Sequence, residues 1–152
     1  MTMIPYRRCR GETHRVLVVD DNPRARDMLA TLIRLDDQTL DVHSMYEAVS
    51  GEDAVAEARA YNPHVVLMDI MLPGIDGFEA ARRIREYLPS VCIIMVTAVG
   101  ERSQRQEAAK LGVSGFLTKD RVGTDLVPLL SQVLDSISVG RMDVSEDPGP
   151  SR

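Results

Sequence analysis

Short unbroken apolar runs alternate along this chain with longer segments whose apolar positions recur every three to four residues. Runs of strand length fit strands buried on both faces, and the 3.6-residue recurrence fits the helices that cover them. The first run, RVLVV at 15–19, is followed by Pro23, which suits a first helical turn. Ala25, Met28, Leu29, Leu32, Ile33 and Leu35 then share one helical side. A shorter, more polar strand is predicted near 42–46. Gly51 marks a turn before a helix carrying Ala54, Val55, Ala58 and Tyr61, closed by Asn62-Pro63. HVVLM is the third strand, and the loop LPGIDG leads to a third helix on Phe78, Ala81, Ile84 and Leu88, ending at Pro89. VCIIMV is the fourth strand. Residues 102–111 read as a polar fourth helix with Gly112 as its C-terminal residue. Residues 115–118 are a fifth strand. A last helix is predicted with Thr124 as its cap, Pro128 near its first turn and Gly140 beyond its end. Leu126, Leu130, Val133, Leu134 and Ile137 form its apolar face.

Five strands alternating with five helices predict an α/β fold, a doubly wound parallel sheet with helices on both faces. Residues 1–14 show no periodicity and are expected to be a flexible extension, and residues 141–152 a disordered tail or the start of a linker, leaving 15–140 as the domain. At 152 residues the chain can bury a core without staples. With 4% aromatics and no Trp, that core must be built from Val, Ile, Leu, Met and Ala. A net charge of −5 argues against a nucleic-acid surface. Cys92, inside an apolar run, is expected to be a small buried hydrophobe, and Cys9 lies in a polar segment. This pairing favours a reducing, cytosolic setting over a disulfide framework. No apolar run reaches the ~20 residues of a membrane span, so a soluble cytoplasmic protein without membrane contact is expected. His14, His43 and His64 show no ligand spacing and are expected at the surface or at strand edges.

Each apolar run ends beside a residue able to do chemistry. RVLVV leads into Asp20-Asp21, HVVLM into Asp69, VCIIMV into Thr97, and Phe116-Leu117 comes just before Lys119. In a parallel sheet of this kind all five residues fall beyond the C-terminal strand ends, where such folds place their sites. Three carboxylates brought together repel one another unless a cation intervenes. An all-oxygen acidic set selects a hard ion, Mg²⁺ or Mn²⁺, over zinc. With Lys119 as a movable positive charge and Thr97 as a hydroxyl donor, the set could stabilise a phosphoryl group passing onto a carboxylate. Asp69, alone at its strand end, is the best nucleophile candidate.

The segments VLVVDDNP, VVLMDIMLPGIDGFE, MVTA and GFLTK, in this order and spacing, resemble the receiver (CheY-like) domain of two-component response regulators. The resemblance covers about 15–139. It implies a flavodoxin/CheY-like strand order of 2-1-3-4-5. It also implies that Asp69 is the phosphoacceptor, fed by a sensor histidine kinase or a histidine phosphotransfer protein. Asp21 would ligate Mg²⁺ directly and Asp20 mostly through water, with Asp69 and the backbone carbonyl of Met71 completing the set. Lys119 would pair with the phosphoryl group and Thr97 would swing to hydrogen-bond it. Phe116, where the family often has Tyr, matches the switch aromatic that turns inward with Thr97. The face of the fourth helix, fifth strand and fifth helix would then change its preference for a protein partner or a second copy. The family often has Pro after the lysine; here Asp120 follows Lys119, more like the subgroup that carries a helix-turn-helix DNA-binding module. DNA would be a partner only through such an output domain.

Other classes fit less well. A haloacid-dehalogenase-type phosphohydrolase needs a second Asp two residues after the nucleophile, where this chain has Met71. A docking-only relative would be expected to lack one of the five site residues. A flavodoxin would have a phosphate-cradling turn after the first strand in place of Asp20-Asp21. The expectation is a signalling switch that is an enzyme only in phosphorylating and dephosphorylating itself.

Overall fold

The computed structural model describes residues 14–36 and 39–146. Its elements run β1 (His14–Val19), α1 (Pro23–Leu35), β2 (Val42–Ala48), α2 (Gly51–Tyr61), β3 (Val65–Asp69), α3 (Gly77–Tyr87), β4 (Cys92–Thr97), α4 (Arg102–Leu111), β5 (Gly115–Thr118) and α5 (Val122–Glu146). A single 3-10 turn, Lys119–Arg121, joins β5 to α5. The five strands form one parallel sheet in the order β2-β1-β3-β4-β5.

Alternation along the strands divides the interior into two layers. Leu17, Val19, Val66, Met68, Ile93 and Met95 face α2, α3 and the single buried side chain of α4, Ala108. Val16, Val18, Val65, Leu67, Ile94 and Val96 face Leu29 and Ile33 of α1 and Leu126, Leu130, Val133 and Leu134 of α5. A strand covered on both sides has no polar position to spare, which is why β1, β3 and β4 read as continuous apolar runs. No helix among the described residues is long and apolar enough to cross a membrane.

Local signals set the helix ends. Asn22 caps α1 by accepting from the Arg24 and Ala25 amides, with Pro23 at the first helical position. Ser50 and Asp76 cap α2 and α3 by accepting from the Asp53 and Glu79 amides. Asn62 and Gly112 end α2 and α4 in the left-handed region, with φ of 50° and 75°.

Three expectations need correction. His14 is not a surface residue: it opens β1 and is 2% exposed, with Nδ1 3.0 Å from the Asp41 carbonyl. That backbone partner, contributed by the segment before β2, lets a polar ring sit inside. Cys92 is half-buried, not enclosed, because it begins β4 at the rim of the sheet. The last helix starts two residues before Thr124 and runs six past Gly140, so Thr124 is not its cap and Pro128 lies in its second turn. The 3-10 turn before Val122 supplies the helical start, and the Thr124 hydroxyl donates to Arg121 O at 3.3 Å. One glycine costs a helix only about 1 kcal/mol, so Gly140 is no barrier. The described elements therefore begin before residue 15 and continue beyond 140. Of the two expected terminal extensions, residues 1–13, with Cys9, and 147–152 lie outside the described residues.

Candidate functional site

Sheet register assembles the site. Val19 pairs with Met68, which sets Asp20 beside Asp69, and Thr97 pairs with Thr118, so Lys119 emerges one step beyond Thr97. Asp20, Asp21 and Asp69 each offer a carboxylate oxygen, all within 4.8 Å of one another. Asp20 and Asp69 are buried and Asp21 is exposed. The chain can bury two acids because it supplies their countercharge. Lys119 Nζ lies 2.7 Å from Asp20 Oδ2 and 3.4 Å from Asp69 Oδ2. The lysine hydrogen-bonds Asp69, whereas its approach to Asp20 Oδ2 is an ion pair off the hydrogen-bonding direction, leaving that buried oxygen without a directed donor. The Met71 amide donates to Asp69 Oδ1 at 3.2 Å and the Asn22 amide to Asp20 Oδ1 at 2.9 Å.

These neighbours move the titration of both partners. Burial, and then the charge of Asp20, raise the Asp69 pKa from 3.8 to about 6, against the opposing pull of Lys119 and the Met71 amide. Desolvation works to lower Lys119, but its contact with Asp20 and the charges of Asp69 and Asp20 outweigh it and hold the ammonium above its ordinary range. A hard divalent cation fits this donor set. All candidate ligands are oxygens, one carboxylate is open to solvent, and one buried carboxylate oxygen has no directed donor.

The other expected residues are arranged around this centre. Thr97 is buried, and its hydroxyl donates to the Val99 carbonyl at 3.5 Å, within its own β4–α4 loop. Phe116 is half-buried against the α2–α3 layer, with Arg105 of α4 over its ring. The Met71 side chain is exposed, and its backbone follows Asp69 closely enough for the amide contact. Lys119 sits at the start of the 3-10 turn, so the Lys119-Asp120 step leads directly into α5 without a proline.

Sequence reasoning did not find Arg26. Its guanidinium donates to the Asp20 carbonyl and to Glu47 Oε1, both at 2.9 Å, and ties the acidic turn to β2. It lies on the inner side of α1, three and four residues before the buried Leu29 and Ala30, and no spacing in the sequence marks it out. In the sequence Gly77 stands only as the last residue of the LPGIDG loop. A Cβ there would collide with the Asp69 carbonyl and stand 2.8 Å from Ile70 Cα, so glycine lets α3 start against the end of β3.

The fold and the site together define an open α/β domain with an acidic pocket, a lysine and a hydroxyl at the carboxyl edge of its sheet. The chain belongs to the response regulator receiver domain family, which matches residues 16–131. It is 34% identical over 119 residues to the chemotaxis protein CheY of Halobacterium salinarum, covering 78% of this chain and 95% of that one. It is 35% identical over 105 residues to the transcriptional regulatory protein ResD of Bacillus subtilis, covering 69% of this chain but 41% of ResD. The chain spans about half the length of the transcriptional regulators and other response regulators it matches, and nearly all of the chemotaxis protein. Among solved structures, the signal receiver domain of the response regulator NarL from Mycobacterium tuberculosis is 31% identical. It superposes with a TM-score of 0.70 over 82% of this chain and 96% of that one. A CheY-like receiver from Methanospirillum hungatei, 21% identical with a TM-score of 0.74, shares the fold.

Proposed function

We propose that this domain is a phosphorylation-activated switch in which Asp69 takes a phosphoryl group from a phosphohistidine on a sensor kinase or phosphotransfer protein. The observation that carries this reading is the placement of Asp69: buried at a strand end, hydrogen-bonded to Lys119 and within 4.8 Å of two further carboxylates. A carboxylate oxygen of Asp69 forms the new P–O bond as the P–N bond of the donor breaks, and the leaving imidazole takes a proton. With a pKa of about 6, Asp69 is mostly ionised at pH 7 and available as the nucleophile. Lys119, 3.4 Å from Asp69, is placed to meet a phosphoryl oxygen. Asp20, Asp21, Asp69 and the Met71 carbonyl would hold Mg²⁺ or Mn²⁺, which supplies charge neutralisation to the transferring group. Thr97 would turn from the Val99 carbonyl to the phosphoryl group and Phe116 would follow, changing what the α4–β5–α5 face binds, whether a partner protein or a second copy.

On this reading the chain is an enzyme only toward itself, and it belongs in the cytoplasm with ATP-charged kinases. A second reading, a receiver joined to a DNA-binding output domain, is favoured by the matches that extend well beyond this chain's length. Mass spectrometry after incubation with phosphoramidate and Mg²⁺ tests the first: the native chain gains one acid-labile phosphate and Asp69→Asn gains none. A native chain without that gain would falsify it.

A further inference from the structure

The N-terminal half of α4 is poorly anchored by its apolar side, since Ala108 is the helix's single buried residue. Its second half is tied to α3: Arg82 pairs with Glu107, and Arg85 donates to the Leu111 carbonyl. Toward β5 the first half is met by the Arg105 side chain. The Arg105 guanidinium carbon lies 4.6 Å from the centre of the Phe116 ring, and Arg105 Nε donates to the Gly100 carbonyl at 3.4 Å. Gly100 belongs to the loop that accepts the Thr97 hydroxyl, two residues after Ala98 in the segment joining β4 to α4. A Cβ at Gly100 would stand 2.8 Å from Arg105 Nη2, 3.0 Å from Thr118 Cγ2 and 3.2 Å from Phe116 Cε1. Three side chains from α4 and β5 therefore close over a position kept bare.

We propose that Arg105 is a positioning residue for the switch half of the site. It pins the Gly100 carbonyl and the Phe116 ring together in the unphosphorylated arrangement, and so sets how readily Thr97 can leave Val99 for a phosphoryl oxygen. The inference rests on the phosphoacceptor reading of Asp69 and adds to it a latch outside the acidic pocket. An arginine serves here because its planar fork can stack on a ring and donate sideways at once, which a lysine ammonium cannot do. The contact lies at the surface, where stacking of a cation on a ring is worth a modest amount, so its loss shifts a two-state balance without abolishing either state.

The chain has two phenylalanines, Phe78 and Phe116, so fluorophenylalanine labelling gives two fluorine resonances, and Phe116→Leu identifies one by its disappearance. Native protein should show a Phe116 resonance that moves on treatment with phosphoramidate and Mg²⁺. In Arg105→Ala, without phosphodonor, that resonance should already lie part of the way to the phosphorylated position. The same variant should take up phosphate about two- to five-fold faster, the factor an exposed cation–π contact corresponds to. Arg105→Lys should restore the native rate only in part, and Gly100→Ala, which presses on the same contact from the loop, should shift the resonance in the same direction. A Phe116 resonance and an uptake rate unchanged in Arg105→Ala, with helix content intact by circular dichroism, overturn the proposal. Failure of the native chain to gain phosphate instead removes the phosphoacceptor reading. The phosphate-free spectra of native and Arg105→Ala protein then still decide whether the arginine holds the ring.

Discussion

Asp69 is held in an environment that resists its own charge. Its pKa of about 6, against 3.8 in an unfolded chain, means that the folded protein binds more protons between those values. Stability from this group is therefore present at low pH and lost as pH rises from about 4 to about 6. Allowing for water at the rim of the site, the loss is about 1–2 kcal/mol. Melting temperatures measured across this range in chelator should fall for the native chain and be flatter for Asp69→Asn, which should also be the more stable at pH 7. An identical slope in the two proteins would show that Asp69 is not the titrating group. Lys119→Ala removes the countercharge from both buried acids and should cost about 1–3 kcal/mol in chelator. Millimolar Mg²⁺ should recover most of that stability but not the phosphorylation rate, which should remain at least about ten-fold slow. Recovery of both would make the lysine a mere filler of charge.

At the scale of elements, two glycines do different work. Gly112 ends α4 at φ 75°, and a Cβ there would meet nothing nearer than Arg85 Nη1 at 3.7 Å. Gly112→Ala should therefore cost about 1 kcal/mol of backbone strain and leave phosphate uptake as it is. Gly77 has ordinary dihedrals, but the backbone of β3 occupies the space a Cβ would need. Gly77→Ala should cost about 1–3 kcal/mol and slow phosphate uptake too, because it levers α3 away from the residue that carries Asp69. Thermal melts alongside phosphorylation kinetics separate the two, and equal kinetics would refute the distinction.

The runs that make β1, β3 and β4 were legible because strands buried on both sides admit almost nothing polar, and the residues directly after them could be read as a site for the same reason. The start of β1 at His14 was not legible, since the contacts of its buried imidazole, the Asp41 carbonyl and the His64 ring, come from distant parts of the chain. The limits of α5 were missed because Thr124, Pro128 and Gly140 each carry an end signal that the surrounding helix overrides. Arg26 and Arg105 escaped because a single arginine in a helix carries no period of its own, and their partners, a carbonyl and a ring, come from elsewhere in the chain.

Across the whole molecule the packing is uneven. α3 buries five residues against the sheet and α4 buries one. An element with little apolar burial opens at low cost, and α4 flanks the face through which the proposed signal leaves. Native-state hydrogen exchange should show the amides of α4 exchanging well before those of α3. The gap should widen in Arg85→Ala, which frees the Leu111 carbonyl and loosens the tie between the two helices. Equal protection of the two helices would argue that the signalling face is rigid.

The ion pair between Lys119 and Asp20 has a consequence for how such a protein comes into being. A pocket of three acids would ordinarily make folding wait on a metal, coupling the yield of native chain to whatever cation the cell could spare. Here the ammonium is encoded in the same polypeptide and arrives with β5, so the acidic recess closes with its counterion already inside. The domain folds with its charge already balanced, and on the proposed reading a cation is needed for the response and not for the fold.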